Sequence, residues 1–158
     1  MLLPRPRIKR GRGGAIRVRL PDDERELLEL LCEELRGRVD EEPDHPDLRR
    51  LFPPAHADDP EAEAAYRGLV GSQLDVGRER AIATVQGTLR NDTLTTDEAE
   101  SWLRVLNDLR LVLGTRLDVT EEMSFDLDAN DPAAAELAVY AYLSWLQEQL
   151  VEALMAGT

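Results

Sequence analysis

The sequence predicts a mainly α fold, a helical bundle of about four to five helices with a small N-terminal β-hairpin, and three observations carry that expectation. Apolar residues recur at helical spacing in several long segments, most strongly at Ala99, Trp102, Leu103, Leu106, Leu109, Leu113 and Leu117. Capping and proline signals open those segments. The one clear alternation of period two sits near the N-terminus, at Ile16-Arg17-Val18-Arg19-Leu20, where three apolar side chains share one face and two arginines the other.

The elements follow in order. Gly11-Arg12-Gly13-Gly14 is turn chemistry, so Pro6 to Arg10 and Ile16 to Leu20 can pair as a hairpin leaning on the helices. Pro21-Asp22-Asp23-Glu24 opens the first helix, with acids at the positive end of its dipole. Its stripe is Leu27, Leu28, Leu31 and Leu35, and Gly37 is expected to stop it. An acidic, proline-bearing loop leads to a short helix from Pro46 to Phe52, ended by Pro53-Pro54.

A long helix begins after Asp59 with Pro60 at its first position, its stripe running through Tyr66, Leu69, Val70, Gln73, Leu74, Gly77, Ala81, Val85 and Leu89. Gly68, Gly71 and Gly77 weaken it, so a kink or the close approach of a neighbour at Gly77 is expected. Asn91-Asp92 is a turn, and Thr95 with Glu98 has the capping-box spacing that starts the next helix. Asp131-Pro132 is expected to cap the last helix, with Ala135, Ala138, Val139, Tyr142, Leu143, Leu146, Leu150, Ala153 and Leu154 as its stripe and Gly157 closing it.

Length and charge bound the function. A chain of 158 residues suits one domain, read as a basic arm over 1–20 and an acidic bundle over 21–158. Net charge is −13, yet the arm holds Arg5, Arg7, Lys9, Arg10, Arg12, Arg17 and Arg19 and no acid. The acidic body disfavours nucleic-acid binding over the whole surface. The arm is a candidate contact for DNA or an acidic protein face, unless it folds back onto its own body. No apolar run resembles a signal peptide or a membrane span of roughly 20 residues, so a soluble cytoplasmic protein without membrane contact is expected.

Reaction chemistry has no carrier. His45 and His56 are isolated in proline-rich loops and read as surface residues, and no Cys/His cluster, phosphate cradle or paired carboxylate stands out. Asp126 to Asp131 starts like a calcium loop, but Asp131 replaces the glycine and Leu137 the final carboxylate. No enzyme, metal or cofactor is expected. Cys32, the one cysteine, lies on or beside the first stripe and packs as a small hydrophobe in the simplest reading; it is also the redox candidate, although Glu29, Glu33 and Glu34 would raise its pKa. Tyr140 and Trp145, slightly off the last stripe, are candidates for an interface with a partner or with a second copy in a homodimer.

Arg50-Leu51-Phe52-Pro53-Pro54-Ala55, Asp58-Asp59-Pro60-Glu61, the run from Trp102 to Leu117 and the segment from Tyr140 to Leu154 with Trp145-Leu146-Gln147-Glu148 together resemble an actinobacterial family of long-uncharacterised proteins. That family is typically encoded beside a ClpS-type adaptor and a cysteine-biosynthesis cluster, and is associated with an oxidative-stress transcriptional regulator of actinomycetes. The resemblance implies a non-enzymatic, redox-responsive regulator working with a sigma factor at promoters. A sensor that closes an internal disulfide needs two thiols, and this chain has Cys32 alone. The rival reading is a dimeric interaction adaptor, in proteolysis or sulfur metabolism, with no DNA contact.

Overall fold

The computed structural model describes residues 5–41, 45–48, 51, 58–117 and 133–156. Strands β1 (Ile8–Arg10) and β2 (Ile16–Val18) precede helix α1 (Asp22–Glu41); helix α2 (Pro60–Thr88), strand β3 (Thr93–Leu94), helix α3 (Thr96–Arg116) and helix α4 (Ala134–Met155) follow. The expected hairpin forms, its turn closing through Gly13 and Gly14 at φ of 75° and 84°, a region that L side chains rarely adopt. β3 joins it, giving an antiparallel order β1-β2-β3 with Ile8 opposite Val18, Lys9 opposite Arg17 and Ile16 opposite Leu94. Two residues are too few for periodicity to mark β3 in the sequence.

α3 is the central helix. It packs on both α2 and α4 and touches α1 and the 3-10 turn at Pro46–Leu48. Its buried arc therefore extends beyond the expected stripe to Val105, Asp108, Val112 and Thr115. Thr95 and Glu98 form the expected capping box, and Asp59 caps α2 by accepting from the backbone N–H groups of Glu61 and Ala62. The sheet buries Ile8, Ile16, Val18 and Leu94 in the same core as Leu28, Leu35, Trp102, Leu143, Leu146 and Leu150.

Two boundaries differ from expectation. Gly37 does not stop α1, which runs on to Glu41. A mid-helix glycine costs only about 1 kcal/mol, and beyond it Arg38 pairs with Asp47 while Val39 packs on the core. α4 begins at Ala134 behind an Ala133 N-cap that makes no side-chain cap; Leu137 is buried near its start, whereas Ala135 and Ala138 are exposed. Of the Pro46 to Phe52 helix, only the 3-10 turn and Leu51 are described, with Leu48 buried.

At Gly77 the neighbour is the side chain of Arg104 on α3, whose guanidinium would stand 2.9 Å from an added Cβ. The rest of the expected α2 stripe from Tyr66 to Leu74, with the side-chain surroundings of Gly68 and Gly71, lies outside the described residues. So do Arg50, Phe52 to His56, the Asp126 to Asp131 run, Pro132 and Gly157.

Candidate functional site

The sheet is fastened to the helices at Arg7, Ile8 and Arg10. Arg7 donates from Nε and Nη2 to the Glu24 carboxylate of α1 at 3.0 and 2.9 Å, and its guanidinium lies 5.5 Å from the Trp145 ring centroid on α4. Tyr142 donates to the same carboxylate at 2.6 Å. The backbone N–H groups of Arg7 and Ile8 both donate to Gln149 Oε1, at 2.6 and 3.1 Å, so a glutamine of α4 satisfies the end of β1. Arg10 donates to the Ala153 carbonyl in the last turn of α4 at 2.8 Å, where a cation suits the helix dipole.

These contacts divide the seven basic candidates. Arg7 and Arg10 are half-buried and spent on the fold. Arg5, Lys9, Arg12, Arg17 and Arg19 are exposed, and register places Lys9, Arg17 and Thr93 side by side on the outer face of the sheet.

Burial alone would push the Glu24 carboxyl up, but its hydrogen bonds from Arg7 and Tyr142 outweigh that and hold it below the ordinary glutamate value. Burial and the bond to Glu24 push the Tyr142 hydroxyl above the usual tyrosine range. Because the folded Glu24 value is depressed, its stabilising contribution is complete above the ordinary carboxyl range and is lost as pH falls through the folded value. Glu24→Gln is therefore expected to cost about 1–2 kcal/mol at neutral pH and to flatten the acid side of the stability curve, which urea titrations at stepped pH will show.

Cys32 is 0% exposed, packed among Leu28, Leu35 and the rest of the core. Burial is the main reason its thiol is pushed up to about 12; Arg36 opposes the shift, and Glu33 and Glu29 add to it. Tyr140 and Trp145 are half-buried, each beneath an arginine of this same chain. Arg7 lies over Trp145, and Arg110 stands 5.4 Å from the Tyr140 centroid while donating to Ser144 Oγ and Gln147 Oε1.

His45 is not an isolated surface group. It is half-buried against Arg38 at 2.9 Å, accepts from the Asp47 backbone N–H at Nδ1, and Asp47 in turn pairs with Arg38 and Arg116 at 3.4 and 3.3 Å. Beside this cluster a cleft of about 40 Å³ has an apolar floor of Leu31, Leu35, Leu109 and Leu143 under Arg38 and Arg116. That is far below the roughly 300 Å³ at which small-molecule sites begin. The shallow groove adjoining it carries Glu34 and Glu41 as well as the two arginines, so its charge is mixed. Among the described residues, no group of three or more His, Cys, Asp or Glu is placed to hold a metal, and no helix is long and apolar enough to cross a membrane.

Sequence reasoning missed Arg25, 7% exposed, which donates to the Leu20, Leu89 and Asn91 carbonyls and so ties α1 to the end of α2 and the turn before β3. An arginine one turn into an acidic helix carries no local sign of that role.

The chain matches the family model for a domain of unknown function, DUF2017, over residues 5–154. It is 34% identical over 132 residues to the oxidative stress regulator AosR of Mycobacterium tuberculosis (strain ATCC 25618 / H37Rv) and to that of Mycobacterium bovis, covering 73% of this chain and 61% of each relative. The putative oxidative stress regulator AosR of Mycobacterium leprae is 31% identical over 131 residues, covering 72% and 60%. The chain thus spans about three fifths of the length of these curated relatives. No solved structure matches it.

Proposed function

The chain belongs to the DUF2017 family, and from that premise we propose that it is a non-enzymatic regulatory protein linked to oxidative stress, acting through a protein partner, a sigma factor of RNA polymerase. The observation that carries this reading is its identity, above 30% over most of the chain, to proteins named oxidative stress regulators. The described surface is in keeping with it. The apolar cleft beneath Arg38 and Arg116 is small, and the polar clusters around Glu24, Asp108 and Asp47 are ion pairs that join elements of the fold.

In this reading Cys32 is not the sensor. A thiol with no exposure and a raised pKa offers neither access nor thiolate to an oxidant, so any oxidant response enters through the partner. Affinity capture of the tagged chain from its source cells, with and without peroxide, tests both parts. Recovery of a sigma factor by wild type and by Cys32→Ala alike is the expected result. Recovery of the chain alone or of protease components would overturn the partner, and recovery that needs Cys32 would overturn its structural role.

A further inference from the structure

We infer that the outer face of the three-stranded sheet, carrying Lys9, Arg17 and Arg19 with Arg12 at the hairpin turn, binds the phosphate backbone of duplex DNA without reading its sequence. The inference rests on the regulatory reading above and gives that reading a second contact.

One charge placement on the sheet serves no contact of the fold. Lys9 stands directly opposite Arg17, and like charges in that position destabilise a strand pair. The chain has 32 acidic residues, none of them within 1–20, and Glu152 of α4, which lines a groove with Lys9, forms no ion pair with it. With the described residues, Lys9, Arg12, Arg17 and Arg19 make no ion pair, in contrast to Arg7. Arg17 is also held in place. Its aliphatic stem lies across Gly11, where an added Cβ would meet Arg17 Cγ at 2.8 Å, so the glycine makes room for the arginine to lie along the turn.

The make-up of the face selects the partner. Protein interfaces centre on aromatic or aliphatic anchors, and this face offers Lys9, Arg17, Arg19 and the Thr93 hydroxyl instead, all exposed. Phosphate contacts need only cations and hydroxyls, and they position a duplex without specifying bases. Acids border the patch, with Asp22 and Asp23 opening α1 and Asp92 preceding β3. They confine the contact to the sheet and keep the acidic helices away from the duplex.

Deleting the arm is the wrong test, because β1 contributes the buried Ile8 to the core. Charge reversal on the outer face leaves the inner face intact. The full chain is titrated into a fluorescent duplex of random sequence and followed by anisotropy. Wild type is expected to bind at low salt and to weaken roughly 150-fold between about 50 and 200 mM salt, as four phosphate contacts, one each for Lys9, Arg12, Arg17 and Arg19, require. The triple variant Lys9→Glu, Arg17→Glu, Arg19→Glu is expected to lose binding with an unchanged circular dichroism spectrum. Should it misfold, Arg12→Glu, outside both strands, is expected to weaken binding severalfold. Three results would overturn the inference: no binding by wild type at low salt, equal binding by the folded variants, or displacement of the duplex by polyglutamate as readily as by unlabelled DNA. None of these bears on which protein the chain captures, so the two readings fail separately.

Discussion

Trp102→Ala is expected to lower the stability of the chain by about 3–5 kcal/mol, enough to unfold most of a marginal domain at physiological temperature. Trp102 is 1% exposed in the second turn of α3, in one core cluster with Val85, Leu89, Val105 and Leu106. Truncation leaves a cavity the size of an indole that rigid helices on either side cannot collapse to fill. It also removes the donor to Thr88 Oγ, a 2.7 Å bond that ties α3 to the last turn of α2, where Thr88 itself donates to the Thr84 carbonyl. Trp102→Phe separates the two terms: most of the packing is kept, the bond is lost, and a cost nearer 1–2 kcal/mol is expected. Urea denaturation followed by far-ultraviolet circular dichroism reads both.

The second large effect lies thirty residues of sequence apart, between Arg78 on α2 and Asp108 on α3, which meet at 3.0 Å with side chains 9% and 7% exposed. Burial pushes the Asp108 carboxyl up, and Arg78 and Arg104 only partly restore it, so its ionised form is held in the fold at a cost. A raised folded value means that this group's contribution is present below the ordinary carboxyl range and lost as pH rises through the folded value, the opposite sign to Glu24. Asp108→Ala strips the buried guanidinium of this carboxylate and is expected to cost about 3–5 kcal/mol. Combining it as Asp108→Leu with Arg78→Met is expected to recover most of that loss, because apolar replacement of a whole buried pair is close to neutral. Denaturation of Asp108→Leu, of Arg78→Met and of the double variant gives the coupling directly.

Local chemistry was legible in the sequence, and long-range pairing was not. Thr95 with Glu98, Asp59 with Pro60, and the alternation from Ile16 to Leu20 are signals written within a few residues, and each appears in the structure as read. The end of α1 was misplaced because Gly37 is a local stop signal overridden by contacts of Arg38 and Val39 from elsewhere in the fold. α4 begins at Ala134 behind Ala133, which makes no side-chain cap, so neither residue carries a local start signal. The basic arm is the most instructive case. Seven cations looked equivalent by charge, and the register of three short strands together with Glu24, Gln149 and Trp145 divides them into two that fasten the sheet and five that face outward. The partners that make that division lie up to 143 residues away, beyond the reach of any pattern in the arm itself.

The same division explains why Tyr140 and Trp145 stood out. An aromatic set off the apolar stripe of a helix exposes part of its ring, and here Arg110 and Arg7 cover those rings from within the chain. The aromatics thus contribute to the cohesion of α3, α4 and the sheet. What the fold leaves outward is the cationic row on β1 and β2, set against an acidic surround.

We propose that this chain regulates the response to oxidative stress without using its own thiol. The transcript response to peroxide, measured in source cells lacking the chain and in the same cells supplied with wild type or Cys32→Ala, tests it most directly. The account predicts a set of transcripts whose peroxide response disappears with the chain and returns equally with either version. An unchanged transcript response in cells lacking the chain, or a response restored by wild type alone while the Cys32→Ala protein accumulates to the same level, would contradict it.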